Sequence, residues 1–392
     1  MRLLHPNVFI LLIAQALIGS SGPLIVFVGG FIGIALAPTP ALATLPISCM
    51  IVGVALFTLP VVKLMSRIGR KRGILLTTLC GLLCSLFAAF SIEQQSFWLL
   101  CFSILLFGIP LAANQQFRFA AIESVAPEQS GQAVSVLLMA GLVAAFVGPE
   151  LGVWGKSVLN ESFSGAFVFL AINMLVALAV ISRLQPVGAP SLHQDSAPRP
   201  LTQLITQPIF LLALSSAAIS FAVMSFIMTA TPISMHVHHH FSMQDTKWVI
   251  QSHIIAMYLP SLFTALLIRK LGIRKLMLAG VAALLTCVVI GLINQDYVHY
   301  WSALVLLGIG WNFMYVAGTT WLPQSYQENE KFRVQGINDL TIFSLQALAS
   351  LSAGIVIGWF GWNWVLLSTL PLLSLPVLAL WHWRRTQSSP SS

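Results

Sequence analysis

The sequence predicts an all-α integral membrane protein built from two six-helix bundles related by pseudo-two-fold symmetry. The first reason is composition: 57% of the 392 residues are hydrophobic and 8% are charged, whereas roughly a quarter of the residues are charged in soluble domains. The second is a series of apolar segments long enough to cross a bilayer. The third is a basic loop, Lys63 to Gly73, whose basic-x-Gly-x-basic-basic spacing returns at Lys270 to Lys275. A repeated loop indicates two equivalent halves.

Twelve mostly apolar segments follow one another along the chain, each long enough for a transmembrane helix. The first half contains six, at about 8–36, 41–62, 73–92, 97–121, 130–155 and 163–183. The second half contains six more, at about 208–231, 248–268, 275–294, 299–322, 333–358 and 362–382. The first segment follows Arg2 and includes a small-residue run, Ala35 to Ala37, but it is too long for the apolar region of a signal peptide. We therefore expect an uncleaved first helix.

The charges of the loops support this count and orient the chain. Cytoplasmic loops collect Lys and Arg, and translocated loops lack them. The presumed cytoplasmic regions contain Arg2, Lys63, Arg67, Arg70, Lys71, Arg72, Arg183, Arg199, Arg269, Lys270, Arg274, Lys275, Lys331, Arg333, Arg384 and Arg385. The translocated loops are expected to contain only Lys156 and Lys247, while Arg118 falls inside a helix. The sequence thus predicts a multi-pass protein of the inner (plasma) membrane with both termini in the cytoplasm.

The domain organisation follows from the spacing of the segments. We predict an N-terminal six-helix bundle over residues 1–183, a cytoplasmic linker over 184–207, a C-terminal six-helix bundle over 208–385 and a polar tail over 386–392. The linker is rich in proline, serine, histidine and glutamine, a composition that cannot form a packed core. We therefore expect it to be flexible, and we expect the function to be carried out within or across the bilayer.

Several classes of function lack their sequence signals. The net charge of +8 is distributed as short clusters at span ends, which argues against nucleic acid as a partner and for the lipid bilayer. The five cysteines lie in apolar spans without a CxxC pair, so we expect free thiols. The chain has no P-loop, GxSxG or HExxH motif, so neither an ATP-driven pump nor a membrane hydrolase is predicted. We expect a monomer that is not an enzyme, needs no cofactor and handles a small molecule.

The basic loop carries a family resemblance. Ser66-Arg-Ile-Gly-Arg-Lys71 resembles the loop signature Asp-Arg-x-Gly-Arg-Lys of the major facilitator superfamily, with Ser66 where the family usually has Asp. The resemblance implies a secondary transporter that rocks its two halves around a central site, and we expect an ion gradient, of protons, to drive it. It also implies a cytoplasmic gate formed by Arg67, Gly69, Arg70, Lys71, Lys270, Gly272 and Arg274. Glu123 is the candidate acidic partner of the gate, and a solvated loop that only sets topology is the alternative.

A second element bears on the direction of transport. Gly148-Pro149-Glu150-Leu-Gly152 resembles the Gly-Pro-x-x-Gly element of proton-driven exporters in the superfamily, which slightly favours export, although a packing kink is the alternative. The stretch Phe97 to Ala113 lacks the arginine that many such exporters carry, and Gln15 replaces the acid of some multidrug exporters. Two alternatives therefore stay open: an importer of a nutrient or metal chelate, and a membrane sensor with a transporter-like fold.

Few ionisable residues fall within the predicted spans, and such residues are expensive in hydrocarbon and usually functional. Glu150, His253 and Asp339 are the candidates for proton coupling. Burial raises the pKa of a carboxyl group toward the working range, and histidine titrates near neutral pH. The alternatives are a solvated Glu150, a His253 that bonds a neighbouring side chain and an Asp339 that clamps a loop arginine.

Central polar and aromatic residues are the candidates for binding the solute, because transporter sites lie near the midplane between repeats. Trp311 and Tyr315 lie one helical turn apart, a spacing suited to stacking on a ring-bearing substrate. The remaining neutral candidates are Gln15, Ser220, Asn312 and Gln346. Arg118 with Gln115 and Gln116 forms a candidate anion-binding set, with a structural role as its alternative. The scarcity of mid-membrane charge indicates a neutral, zwitterionic or weakly anionic solute.

The run His236-Val-His-His-His240 lies in the predicted translocated loop between the seventh and eighth spans. Four imidazoles can hold a transition metal, but no Asp, Glu or Cys completes a familiar ligand spacing. We therefore assign no metal site, and metal binding and a pH-responsive external gate remain as alternatives.

Overall fold

The computed structural model describes residues 5–117, 120–121, 124–125, 130–158, 163–185, 199–327 and 330–388. In these ranges the regular structure is helical. Ten helical segments are long and apolar enough to cross a membrane. The helices Ser130–Val158 and Met243–Tyr258 complete two bundles of six. The predicted all-α architecture is therefore confirmed.

The N-terminal bundle contains six long helices, two of which have an internal break. They are α1 (Pro6–Leu36, broken at Ser20), α2 (Leu45–Ile68), α3 (Arg70–Glu93), α4 (Phe97–Leu106 and Gly108–Asn114), α5 (Ser130–Val158) and α6 (Ser164–Ser182). The break in α1 is bridged from α6, because Asn173 Nδ2 donates to Leu17 O and to Ser20 Oγ, both at 2.8 Å. After Asn114 a turn at Gln115 and Gln116 interrupts α4, and the described residues Phe117, Ala120 and Ala121 are again helical.

The C-terminal bundle repeats this arrangement. Its helices are α7 (Pro208–Ile233, continued by a π-helical turn Ser234–His238), α8 (Met243–Tyr258, continued by Leu259–Phe263 and Thr264–Leu271), α9 (Ile273–Ile293), α10 (Tyr297–Trp321), α11 (Lys331–Phe360) and α12 (Trp362–Leu367 and Leu370–Ser388). Helix α8 starts five residues before its predicted start at position 248, since Ser242 and Asp245 form a capping box that satisfies free backbone donors. Helix α12 ends beyond the predicted bundle boundary at 385.

The two basic loops have the same local geometry, as the repeat predicts. Gly69 ends α2 with φ 85° and ψ 156°, and Gly272 ends α8 with φ 75° and ψ 155°. Only glycine adopts this region without steric cost, so each loop reverses the chain in a single residue. We call the membrane side with these loops the linker face, and the opposite side, with the segment 37–44 and residues 239–242, the far face.

The Gly148-Pro149 element packs α5 against the break in α1. A Cβ atom at Gly148 would lie 2.5 Å from Ser20 O, and one at Gly152 would lie 2.7 Å from Val28 Cγ2. Both distances are below van der Waals contact, so the two helices approach through their glycines. The packing role that the sequence offered as an alternative for this element is present in the structure.

Gly53 is a second point of close approach, between α2 and α4, and it yields a stability prediction. A Cβ atom at Gly53 would lie 2.0 Å from Leu105 O, which is backbone and cannot rotate away. We expect Gly53→Ala to lower stability by about 1–3 kcal/mol, measured as a lower thermal unfolding temperature in detergent. Gly336→Ala is the matched control, because nothing lies within 4 Å of its added Cβ. Equal unfolding temperatures for the two variants would contradict the prediction.

The end of the predicted linker is fixed to the C-terminal bundle. It contains a short helix, Leu201–Ile205, that the sequence analysis did not anticipate. Just before it, Arg199 donates to both carboxylate oxygens of Glu330 at 2.7 and 2.6 Å, and the Glu330 side chain is fully covered. Two parallel bonds between guanidinium and carboxylate give a directional contact. This part of the predicted flexible linker is therefore held in place.

The Arg199–Glu330 contact predicts a pH dependence of stability. The Arg199 guanidinium lowers the pKa of Glu330 from 4.5 to about 2. A carboxyl whose pKa is lower in the folded state contributes stability above its unfolded pKa and loses that contribution as the pH falls through its folded pKa. We expect the wild type to lose stability more steeply than Glu330→Gln between pH 4.5 and pH 2, measured by thermal unfolding. Parallel curves would rule out this linkage.

Candidate transport cavity

A cavity of about 540 Å³ lies between the two bundles, within the range of roughly 300–1,000 Å³ typical of small-molecule sites. Helices of both halves line it, mainly α1, α2, α4 and α5 on one side and α7, α8, α10 and α11 on the other. Its described lining includes no Asp, Glu, Lys or Arg. The cavity therefore suits an uncharged or weakly polar solute.

One wall of the cavity is aromatic. The rings of Trp311 and Tyr315 on α10 are stacked, with centroids 5.1 Å apart and an interplanar angle of 17°. Phe221 from α7 contacts both rings edge-on at 5.1 and 5.3 Å, and Phe343 and Tyr258 extend the group from α11 and α8. We call these five residues the aromatic wall. A planar ring system can stack or make edge contacts on such a surface.

Several polar atoms at the cavity are buried without a hydrogen-bond partner among the described residues. These are Gln15 Oε1, Asn114 Oδ1, His253 Nε2, Trp311 Nε1 and Asn312 Oδ1. Buried polar groups in native proteins are almost always paired, because an unpaired group loses its hydration without compensation. The set therefore indicates a place where another molecule supplies the missing partners.

Two of these residues are fixed by hydrogen bonds between α8 and α10. His253 Nδ1 lies 2.8 Å from Leu304 O, and Asn312 Nδ2 donates to Met257 O at 2.7 Å and to Ser261 Oγ at 2.6 Å. The sequence analysis offered a bond from His253 to a neighbouring side chain as an alternative. The ring instead bonds a backbone carbonyl, that of Leu304. Its other nitrogen, Nε2, has no partner at the cavity among the residues that the structure describes.

The structure brings together most of the neutral residues that the sequence singled out. The cavity lining includes Gln15, Gln115, His253, Trp311, Asn312, Tyr315 and Gln346. Ser220 lies off the lining, buried, and donates to Ala217 O at 2.7 Å, and Gln116 is half-buried outside the lining. Arg118 falls outside the described residues. The proposed anion-binding set is therefore not assembled by the described part of the chain.

Other cavity residues were missed by the sequence analysis. Asn114 directly precedes the selected Gln115, and Phe221 directly follows the selected Ser220. Ser225, which accepts a bond from Gln346 Nε2 at 2.8 Å, lies one turn further along α7. Neighbouring residues point about 100° apart on a helix. The sequence could therefore have indicated Asn114, Phe221 and Ser225 only through an analysis of which residues share a face of α4 or α7.

The bundles are joined near the far face by an ion pair. Lys247 Nζ on α8 lies 2.7 Å from Glu150 Oε1 on α5, with side-chain exposures of 5% and 30%. Lys247 was predicted to lie in a translocated loop, and this is wrong: it is buried in the first turns of α8, because that helix starts at Met243. Lys156 likewise belongs to α5 and lies over the Phe163 ring at 5.5 Å. Glu150, the candidate proton-coupling residue, is therefore partly buried and paired with a lysine.

Hydroxyl groups make a second junction at the same level. Ser350 Oγ on α11 lies 2.9 Å from Ser48 Oγ on α2 and 3.0 Å from Thr229 Oγ1 on α7. Thr229 also lines the cavity. Nearby, a Cβ at Gly354 would lie 2.0 Å from Thr44 Oγ1, which shows how closely α11 approaches the N-terminal bundle. These contacts join the two bundles on the far side of the cavity.

Asp339, the third candidate for proton coupling, is half-buried on α11 and lies off the cavity lining. Asn338 Nδ2 donates to Asp339 Oδ1 at 3.2 Å. The structure therefore places Asp339 away from the Glu150–Lys247 ion pair and one helical turn before Phe343 of the aromatic wall.

The residues of the predicted cytoplasmic gate lie at the linker face, where Lys71 and Arg274 each contact a residue of their own half. Lys71 Nζ donates to Ser182 O in α6 at 2.8 Å, and the Arg274 guanidinium lies over the Trp383 ring at 5.2 Å. Arg67 and Lys270 are exposed, and Arg70 is half-exposed. Glu123 falls outside the described residues. The latch between the halves stays a prediction.

The histidine run lies at the far face. His236 Nδ1 lies 3.0 Å from Phe241 O, and its ring contacts the Phe31 ring of α1 edge-on at 4.8 Å. His239 lies near the ring of Tyr300. No group of three or more His, Cys, Asp or Glu side chains with metal-binding geometry occurs in the ranges that the structure describes. In this structure, His236 contributes to packing between the bundles.

Comparisons with known proteins agree with this architecture. A family model described as Major Facilitator Superfamily matches residues 8–242 and 213–392. The chain is 36% identical to the riboflavin transporter RfnT of Brucella anthropi over 95% of each chain. It is 28% identical to YddS, an uncharacterized MFS-type transporter of Bacillus subtilis, over 88% of this chain and 83% of that relative.

Solved structures share the fold at lower identity. The human organic anion transporter MFSD10 (TETRAN) matches with a TM-score of 0.68 and 14% identity, covering 96% of this chain and 99% of that chain. A bacterial homologue of the human lysosomal transporter Spinster, in an inward-facing and occupied conformation, matches with a TM-score of 0.70 and 14% identity over 98% of both chains. These structures are similar in fold along nearly the whole chain.

Proposed function

Because the chain belongs to the Major Facilitator Superfamily, as the basic loop predicted, we propose that this transporter carries riboflavin or a closely related uncharged flavin across the cytoplasmic membrane. The observation that carries the proposal is the aromatic wall beside unpartnered buried polar atoms in one cavity. The similarity to a riboflavin transporter over 95% of both chains supports it.

The chemistry of riboflavin matches the two parts of the cavity. Its isoalloxazine ring is planar and aromatic, and stacks on side chains such as Trp311 and Tyr315. Its ribityl chain carries hydroxyl groups that can donate hydrogen bonds, as the unpartnered acceptor atoms of His253, Asn312 and Gln15 require. The lack of charged residues in the described lining fits a neutral vitamin better than its phosphorylated form, because a desolvated phosphate needs a cationic partner.

For the direction of transport we propose uptake, the importer alternative of the sequence analysis. Riboflavin is a nutrient, and the Gly148-Pro149 element that favoured export has a packing role at α1 in this structure. The positive charge of the basic loops supports a cytoplasmic linker face. Uptake then requires the far-face junction to open, load the cavity from outside and close again, while the halves rock about the central site.

For the energy source we propose the proton gradient, with Glu150 as the titrating group. Protonation of Glu150 removes its attraction for Lys247 and so weakens the junction that closes the far face. A proton from outside thus favours the outward-open state, and its release toward the cytoplasm restores the ion pair. In this scheme the coupling free energy is the difference in proton affinity between the two conformations.

The test is binding followed by flux. Titrating riboflavin into the purified protein should quench flavin fluorescence with a saturable affinity, while riboflavin phosphate should bind far more weakly. In proteoliposomes, riboflavin should enter from the side of the far face and accumulate when that side is acidic. Failure of riboflavin to bind, or equal binding of its phosphate, would refute the substrate assignment, and accumulation only in the opposite direction would refute uptake.

A further inference from the structure

The hydrogen bonds between α8 and α10 run in both directions and fix two side chains at the cavity. His253 of α8 bonds Leu304 O of α10, and Asn312 of α10 bonds Met257 O of α8. Gly308, between these contacts, allows the approach, since a Cβ there would lie 2.5 Å from His253 O. The two helices therefore hold both side chains in one orientation.

This arrangement decides which hydrogen-bonding role each side chain presents to the cavity. A carbonyl oxygen can only accept, so His253 Nδ1 must carry the proton that it donates to Leu304 O. In the neutral ring, Nε2 is then an acceptor. The Asn312 amide donates through Nδ2 to Met257 O and to Ser261 Oγ, which fixes Oδ1 as its free acceptor.

Both acceptors are buried and unpartnered among the described residues. His253 and Asn312 are each 1% exposed, and His253 Nε2 and Asn312 Oδ1 have no protein partner there. Both residues line the cavity. A ligand that fills this place must therefore offer hydrogen-bond donors to this pair of atoms.

Of the polar parts of a flavin, the ribityl chain meets this demand. The imide edge of the ring has one N–H flanked by two carbonyls, so a carbonyl would face an acceptor of the protein. Hydroxyl groups rotate and can donate to both acceptors. His253 contacts α10 at Leu304, and the aromatic wall lies two turns further along α10 toward the linker face, where Asn312 is level with Trp311 and Tyr315.

We propose that His253 and Asn312 are specificity-determining residues that bind the ribityl hydroxyls of the substrate, while the aromatic wall holds its ring. This inference rests on the proposed transport of riboflavin. It assigns an order along the cavity: the ribityl chain lies on the far-face side, near His253, and the ring lies toward the linker face. The substrate class is thus an uncharged heteroaromatic ring bearing a polyol.

The experiment compares three ligands on the purified full-length protein. Lumiflavin has the same ring with a methyl group in place of the ribityl chain, and 3-methylriboflavin retains the chain but blocks the imide N–H. We expect the wild type to bind riboflavin about tenfold or more tightly than lumiflavin, because a site built for hydroxyl groups rejects a ligand that lacks them. Binding of 3-methylriboflavin should stay within about threefold of riboflavin, a small change in free energy.

Variants then assign the preference to residues. In His253→Phe, the affinity for riboflavin should fall to that for lumiflavin, while the affinity for lumiflavin stays unchanged and shows that the site is folded. His253→Gln, whose amide can still donate to the Leu304 carbonyl while its oxygen accepts, should recover part of the preference. In Asn312→Leu, the preference for riboflavin over lumiflavin should be lost, as in His253→Phe.

Four results would overturn the inference. Equal losses for riboflavin and lumiflavin in the variants would show that the two residues only support the fold. A wild type that rejects 3-methylriboflavin but accepts lumiflavin would show that the imide edge is bound instead. Equally tight binding of lumiflavin and riboflavin by the wild type would refute the ribityl contact and leave the ring-binding cavity unchallenged. Failure of the wild type to bind any of the three ligands would refute the proposed function as well.

Discussion

Glu150→Gln is expected to abolish proton-driven accumulation of riboflavin while leaving equilibrium binding measurable. The substitution removes the titrating carboxyl and leaves the Lys247 ammonium, whose side chain is 5% exposed, without its charged partner. Breaking a buried pair in this way typically costs about 3–5 kcal/mol. We expect a smaller loss here, about 2 kcal/mol, because the Glu150 side chain is 30% exposed and its charge is partly screened.

The same substitution is expected to shift the protein toward a state that is open at the far face. The measurement is the distance between spin labels at the exposed far-face positions Gln94 and Asp296, one in each half, in a background with the native cysteines replaced. The distance distribution should gain a longer component in Glu150→Gln. The wild type should gain the same longer component at low pH.

A double variant separates stability from coupling. Glu150→Leu with Lys247→Met removes both charges, and an apolar pair of similar size often restores stability. It should recover the unfolding temperature but not the pH-driven flux. Unchanged pH-driven flux in Glu150→Gln would remove Glu150 from the coupling mechanism.

Trp311→Ala is expected to weaken riboflavin binding by about 10–100-fold. Trp311 is stacked on Tyr315 and contacted by Phe221, so its loss removes the centre of the aromatic wall. Stacking of an aromatic ligand ring on one side chain contributes about 1–3 kcal/mol, and each 1.4 kcal/mol is a tenfold change in affinity. The measurement is the dissociation constant from flavin fluorescence quenching.

Trp359→Ala is the matched control, because this tryptophan of α11 is 75% exposed on the outer surface and lies off the cavity. It should leave the affinity unchanged. Trp311→Phe should retain part of the affinity, since a smaller ring still stacks. If Trp311→Ala bound riboflavin as tightly as Trp359→Ala does, the aromatic wall would have no role in binding.

The sequence predicted part of the cavity because a helix carries its own geometry. Trp311 and Tyr315 are four residues apart, so they had to share a face of α10 wherever that helix lies. Phe221 and Asn114 were missed for the opposite reason. Each sits beside a selected residue, and the rotation of α7 and α4 about their axes decides which of the neighbours reaches the cavity.

Pairings across the chain were beyond the sequence for a similar reason. Glu150 and Lys247 are 97 positions apart, and both the start of α8 and the packing of α5 on α8 are needed to bring them together. His253 was selected as a lone titratable residue, but its acceptor nitrogen at the cavity follows from a carbonyl 51 positions away. Ser242 and Asp245 form the capping box that starts α8 early, whereas hydropathy alone starts that helix at position 248.

The sequence by itself determined that this protein is a membrane protein of two equivalent six-helix halves in the Major Facilitator Superfamily. Transfer of a segment into lipid depends on its own length and side chains, and the glycine turn of each basic loop is local, so both are readable from contiguous residues. Only the tertiary structure decided which polar atoms remain unpaired at the cavity and which charges close the far face. Those properties depend on helix rotation and on contacts between distant segments, because burial and pairing are set by neighbours in space.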